Sequence, residues 1–248
     1  MDITRSGAVA TITFADCEPL SRHDIAFATR LRDALRDTAD SDEVKAIVMQ
    51  ASGMDFAPPS PPSGPAAAVA PRDAGERHRW HAAYAAPSGL YQNLAYCKKF
   101  VVTAVNGRCT GGGSMLVLCS DFTVCASEST FESPFATLPE ANLVLAALTL
   151  RLNRAKSWML GCRPWSAEQA RQAGLVNRVM AAADIRQEAQ ARARDASRMP
   201  LDGIAMTKIL LEAFLDTQGV GQDFDMAGLY ADSMASLHDS RAVTAGAA

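Results

Sequence analysis

A chain of 248 residues that is 48% hydrophobic holds enough apolar material for one large or two small domains with a sizeable core. Its formal net charge of −3, from 24 basic and 27 acidic residues, gives no extended basic field, so nucleic acid is not an expected partner. The longest apolar stretches, such as LVLAALTL at Leu143–Leu150, fall far short of the ~20 residues that span a bilayer. The start, MDITRSG, lacks the basic-then-apolar order of a targeting signal, and the six cysteines form no CxxC pair. No membrane partner is expected, and a reduced, cytoplasmic setting fits.

In chain order, AVATITF (Ala8–Phe14) alternates like a half-buried strand. Ser21 and Asp24 then predict a capping box before a helix with an Ile25, Ala28, Leu31, Leu35 stripe. VKAIVMQ (Val44–Gln50) suits a buried strand, so the opening reads as a βαβ-like unit, without the glycine fingerprint of a dinucleotide site. No nucleotide cofactor is expected. The segment from Pro58 to about Pro71 carries six of the 12 prolines and has neither structural period, which predicts a loop. A helix is expected from about Glu76 to Tyr96, then a strand in FVVTAVNG (Phe100–Gly107). TGGGSMLVLCSD reads as a glycine turn into an apolar helix, and DFTVCAS as another strand. After about Pro139 the pattern is almost wholly helical. SAEQARQAG, IRQEAQARARDASRM, GIAMTKILLEAFL and FDMAGLYADSMASL each carry an apolar stripe. Residues 1–195 read as the core and 196–248 as a helical tail of the kind that packs on a neighbouring subunit.

The stretch AVNGRCTGGGSMLVLCSDFTVCASESTF resembles the crotonase (enoyl-CoA hydratase/isomerase) superfamily. Ala104–Gly107, Gly111–Gly113, Leu116, Asp121, Ala126 and Phe131 all fall on its pattern. GAVATITF with PLS, and GCRPWSAEQARQAGLVNRVM, extend the resemblance towards both ends. It implies an α/β fold in which a spiral of ββα units forms the core. It further implies a helical C-terminal trimerisation region, a homotrimer or dimer of trimers, and an acyl-CoA thioester as substrate with no separate cofactor. Such chemistry puts negative charge on the thioester oxygen, which two backbone N–H groups stabilise.

By this resemblance Gly112, the middle glycine of GGG, supplies one N–H at a helix start, where the dipole also favours an anion. The other donor belongs to a loop matched by Phe56-Ala57-Pro58-Pro59. Pro58 stands at the donor position and has no N–H. Either Ala57 or Ser60 serves by a shifted register, or the hole is half-formed; both readings stand. The two glutamates of the family's hydratases fall on Met115 and Phe135, neither of which titrates, so the ordinary hydration mechanism is disfavoured. An isomerase-like branch carries a single glutamate in a Pro-Glu-Ala segment, matched by Pro139-Glu140-Ala141 three residues early.

Glu140 is therefore the candidate base, although a Pro-Glu helix start accounts for it equally; Glu132 is a weaker substitute. Gly111 and Phe135 are expected at the substrate, and Arg22 and Lys208 at CoA phosphates, where both read equally as surface charges. Trp80, Tyr84, Leu90 and Leu94 could wall an acyl pocket or simply form a buried helix face. His78 and His81 lie three apart, a spacing open to a metal, but with no third clustered ligand a solvated helix face is the reading and no metal is expected.

Overall fold

A computed structural model of the chain describes residues 1–21, 24–59, 89–134, 141–161 and 163–226. Six strands form the main sheet: β1 (Asp2–Ser6), β2 (Val9–Phe14), β3 (Ala46–Ala51), β4 (Phe100–Val105), β6 (Phe122–Ala126) and β9 (Arg178–Met180), in the order β1-β2-β3-β4-β6-β9. The β2–β3 register pairs Val9 with Ala46 in parallel, closing the expected βαβ unit around the helix α2 (Ile25–Asp40). Strands β3, β4, β6 and β9 continue in parallel, and only β1 runs antiparallel. Three short strands, β5 (Arg108–Cys109), β7 (Thr130–Phe131) and β8 (Trp165–Ser166), form a second sheet in the order β5-β7-β8.

Alternating side chains of the main sheet supply two separate cores. On one face Ala10, Ile12, Phe14, Ile47, Met49, Val101 and Val105 pack with Leu31 and Leu35 of α2 and with α3 (Gly111–Cys119). On the other, Val9, Ala46, Val48, Val102, Ala104 and Val124 meet Ile185, Ala189 and Ala193 of α7 (Ile185–Ala196). A strand whose side chains are buried on both faces needs a nearly continuous apolar run, which is what β3 and β4 have.

Several expectations are corrected. The Ser21–Asp24 capping box does not form: Asp24 alone caps α2, accepting from the Phe27 N–H at 2.9 Å. Ser21 instead ends the short helix α1 (Glu18–Ser21). Ile25 is exposed at 38%, and the buried stripe of α2 is carried by Phe27, Ala28, Leu31, Ala34 and Leu35. Beyond Pro139 the described residues are mainly helical, and the expectation misses only the short strands β8 and β9, of two and three residues. Of the helix expected from Glu76 to Tyr96, residues 89–96 are described and 89–95 are helical, with Leu90 and Leu94 buried; Trp80, Tyr84, His78 and His81 lie outside the described residues.

The later helices are α4 (Leu143–Leu150), α5 (Leu152–Leu160), α6 (Ala167–Ala173) and α8 (Leu201–Thr217). Ser166 and Gln169 form a reciprocal capping box on α6, which Gly174 ends at φ +98°. Only Ile204 of α8 is buried, whereas Met206, Ile209, Leu210, Leu211 and Phe214 are exposed at 43–68%. An apolar face so exposed is unusual for a lone protomer. The FDMAGLYADSMASL segment lies mostly outside the described residues.

Candidate active site

Two loops are fastened together at the ends of the parallel strands. After β3, Ser52 and Gly53 donate to Phe14 and Ala15, while Phe56 donates to the Asn106 carbonyl at 2.8 Å. The Phe56 carbonyl in turn accepts from the Cys17 N–H at 2.8 Å. Asn106 Nδ2 donates to the carbonyls of Gly53 and Met54, at 2.7 Å each. The Phe56 ring is fully buried, edge-on to Phe14 with centroids 5.5 Å apart. Gly107, at φ +57°, sits so close that a Cβ there would stand 2.3 Å from Asp55 Oδ1, so a larger residue is excluded by both conformation and space.

Asp55 completes the junction, its carboxylate accepting from the backbone N–H of Arg108 at 2.8 Å and from its guanidinium at 3.0 and 2.7 Å. The guanidinium hydrogen bonds hold the Asp55 carboxyl below its ordinary pKa, and partial burial only opposes this. Nothing in the local spacing of the sequence signals the pair. Glu132 lies near enough for its charge to act on Arg108.

The loop then joins the small sheet. Ala57 forms a parallel bridge with Cys109, donating its N–H to the Arg108 carbonyl at 2.9 Å and accepting from the Thr110 N–H at 3.0 Å. The Ala57 N–H is therefore engaged within the ladder. Pro58 follows with no N–H to offer, and its carbonyl accepts from the Thr110 hydroxyl at 3.2 Å. Ser60 lies outside the described residues.

Gly111, at φ +47°, turns the chain into α3, the helix of the GGG motif. The Gly112 N–H points out of that helix and donates to Ser21 Oγ at 3.1 Å. A Cβ on Gly112 would stand 2.3 Å from Leu20 Cβ and 2.7 Å from the Tyr91 hydroxyl, so glycine alone lets α1 and the buried Tyr91 approach this N–H. Neither Ser21 nor Tyr91 is singled out for this place by the sequence. One turn on, Met115 is fully buried, and the Ser114 hydroxyl donates to the Cys109 and Glu132 carbonyls at 3.0 and 2.6 Å.

Lys208, expected either at a CoA phosphate or as a surface charge, is bound to Asp121, which also accepts the Val101 N–H at 2.8 Å. Both side chains are mostly buried, so the pair fastens α8 to the end of α3 and the start of β6. Arg22, Phe135 and Glu140 lie outside the described residues. Among the described residues no group of three His, Cys, Asp or Glu is placed to hold a metal ion, and no helix is long and apolar enough to cross a membrane.

A model of the enoyl-CoA hydratase/isomerase family matches residues 4–241, and the chain belongs to that family. It is 29% identical over 222 residues to 4-chlorobenzoyl coenzyme A dehalogenase-2 of an Arthrobacter species, covering 84% of this chain and 77% of the relative. Carnitinyl-CoA dehydratase of Salmonella typhi is 38% identical over 96 residues, 37% of each chain. The crystal structure of a probable enoyl-CoA hydratase from Mycobacterium thermoresistibile matches with a TM-score of 0.77 at 22% identity, covering 94% of this chain and 93% of that one. The shared architecture is the crotonase fold, a mixed α/β core followed by a helical C-terminal region.

Proposed function

We propose that the chain binds an acyl-CoA thioester and works through its enolate, with double-bond isomerisation the simplest reaction. Gly112 is the oxyanion donor in this reading, Glu140 the base, and CoA enters as part of the substrate rather than as a cofactor. The observation that carries the reading is the Gly112 N–H, which leaves its own helix to meet an oxygen of another element at 3.1 Å. An N–H so directed, at the positive end of a helix dipole, suits an oxygen on which negative charge develops. The names of the relatives support the substrate class, since both carry a CoA thioester. Met115, apolar and fully buried, argues against two-carboxylate hydration, because it has no proton to give or take. One carboxylate is enough to take a proton from one carbon and return it to another. The test is turnover of a 3-enoyl-CoA by the parent and by Glu140→Gln. Loss of turnover with CoA-ester binding retained is expected, and equal turnover would remove Glu140 from the mechanism.

A second reading, a CoA-ester binder without chemistry, is favoured by the second donor position: the Ala57 N–H is engaged by Arg108 and Pro58 has none. It predicts a rise in Tm with CoA esters and no turnover of any enoyl-CoA. For assembly, the exposed apolar face of α8 supports a homotrimer or dimer of trimers, to be checked by light scattering; a monomer at all concentrations would exclude both.

A further inference from the structure

We propose that the Ser21 hydroxyl is the second donor of the oxyanion site, taking the place of the N–H that Pro58 cannot supply. The inference deepens the proposed reading and rests on a thioester oxygen seating at Gly112. Its first support is position: Ser21 Oγ is 3.1 Å from the Gly112 nitrogen, so the side chain stands at the place that an oxygen bound by that N–H would take.

The second support is the state of the hydroxyl. Ser21 is only 7% exposed, and its oxygen is an acceptor in the bond with Gly112. Among the described residues no acceptor is found for its hydrogen. A buried O–H that accepts without donating is costly unless another oxygen arrives to take its proton.

The third support is what surrounds it. The Ala57 N–H is held in the ladder with Arg108 and Pro58 has none, so neither competes for that oxygen. Serine can make the exchange without moving the backbone. Rotation about Cα–Cβ to a neighbouring staggered well takes Oγ off the Gly112 N–H, which the thioester oxygen then accepts. The O–H turns to donate to the same oxygen. The resting bond to Gly112 thus keeps the N–H satisfied while the site is empty, and a hydroxyl replaces an amide as the partner of the developing charge.

The experiment measures, by calorimetry, the affinity of the parent protein for a short acyl-CoA thioester and for the matching alkyl-CoA thioether, which lacks the carbonyl. Ser21→Ala, Ser21→Thr and Ser21→Cys follow. The parent is expected to prefer the thioester. Ser21→Ala should lose roughly fivefold of that preference, the worth of one hydrogen bond, with thioether affinity unchanged, and Ser21→Thr should retain it. Should the alanine variant not fold, Ser21→Cys, similar in size and a weak donor, carries the same expectation. A parent preference that survives undiminished in Ser21→Ala or Ser21→Cys overturns the role of Ser21 and leaves Gly112 standing. A parent that binds both ligands equally, or neither, overturns the seating of the thioester at Gly112 and the role of Ser21 with it.

Discussion

Asp55 binds Arg108 through both its main chain and its side chain, at 2.8 Å to the N–H and at 3.0 and 2.7 Å to the guanidinium. These bonds lower the Asp55 pKa, and a carboxyl lowered on folding stabilises the fold above its unfolded value of ~3.9. That contribution disappears as the pH falls through the folded value. Asp55→Asn is therefore expected to lower Tm by a few degrees at neutral pH and to narrow the gap to the parent as the solution is acidified. Thermal melts across an acid series check it; a gap that widens on acidification would contradict the sign.

Gly112→Ala tests the close approach of α1 and Tyr91 to the helix start. The added Cβ meets Leu20 Cβ at 2.3 Å and the Tyr91 hydroxyl at 2.7 Å, and forced overpacking of this kind costs roughly 1–3 kcal/mol. Urea unfolding should show a lower midpoint with an unchanged slope. A variant as stable as the parent would mean that this junction is looser than the geometry says.

Lys208→Ala removes one half of a mostly buried pair and leaves Asp121 with the Val101 N–H as its remaining partner. Hydrogen bonds to charged groups contribute about 1.5–3 kcal/mol, and a loss of that order is expected in chemical denaturation. CoA-ester affinity should be unaffected, since the ammonium is already engaged by Asp121; a specific loss of affinity with stability intact would make Lys208 a ligand contact.

The five described cysteines, Cys17, Cys97, Cys109, Cys119 and Cys125, are free and at most 5% exposed. Burial raises each thiol, Cys125 to about 12. Only the thiolate reacts, so the folded protein should resist a disulfide reagent at the pH of ~8.5 at which free thiols titrate, and urea should release them. Because the protonated form is favoured on folding, their stabilisation is complete below that pH and is lost as the pH rises towards the folded values. Rapid modification of any of these five in the folded state would contradict their burial.

What the sequence made legible depends on how local each signal is. Strands β2, β3, β4 and β6 are runs of β-branched and apolar residues, and the Ser166 cap and Gly174 stop of α6 stand beside the helix they bound. β1 is different, because all five of its residues are exposed. It is a strand only by pairing with β2 across Gly7, which has φ +60°. The small sheet was illegible for another reason: β5, β7 and β8 have two residues each, too few to show a period. At the site, the GGG motif and the missing glutamates could be read directly. The partner of Gly112 could not, because Ser21 lies 91 residues away and looked locally like a cap. Asp55 and Arg108, 53 residues apart, were hidden in the same way.

The bridge between Ala57 and Cys109 also limits how this loop can vary in length. Slipping a paired residue by one position turns its side chain to the opposite face, which would expel Phe56 and Ala57, both fully buried. Insertions and deletions between β3 and Ala57 would thus be resisted by the core itself. Relatives of this chain should therefore keep a fixed count of residues between the β3 strand and the partner of Cys109.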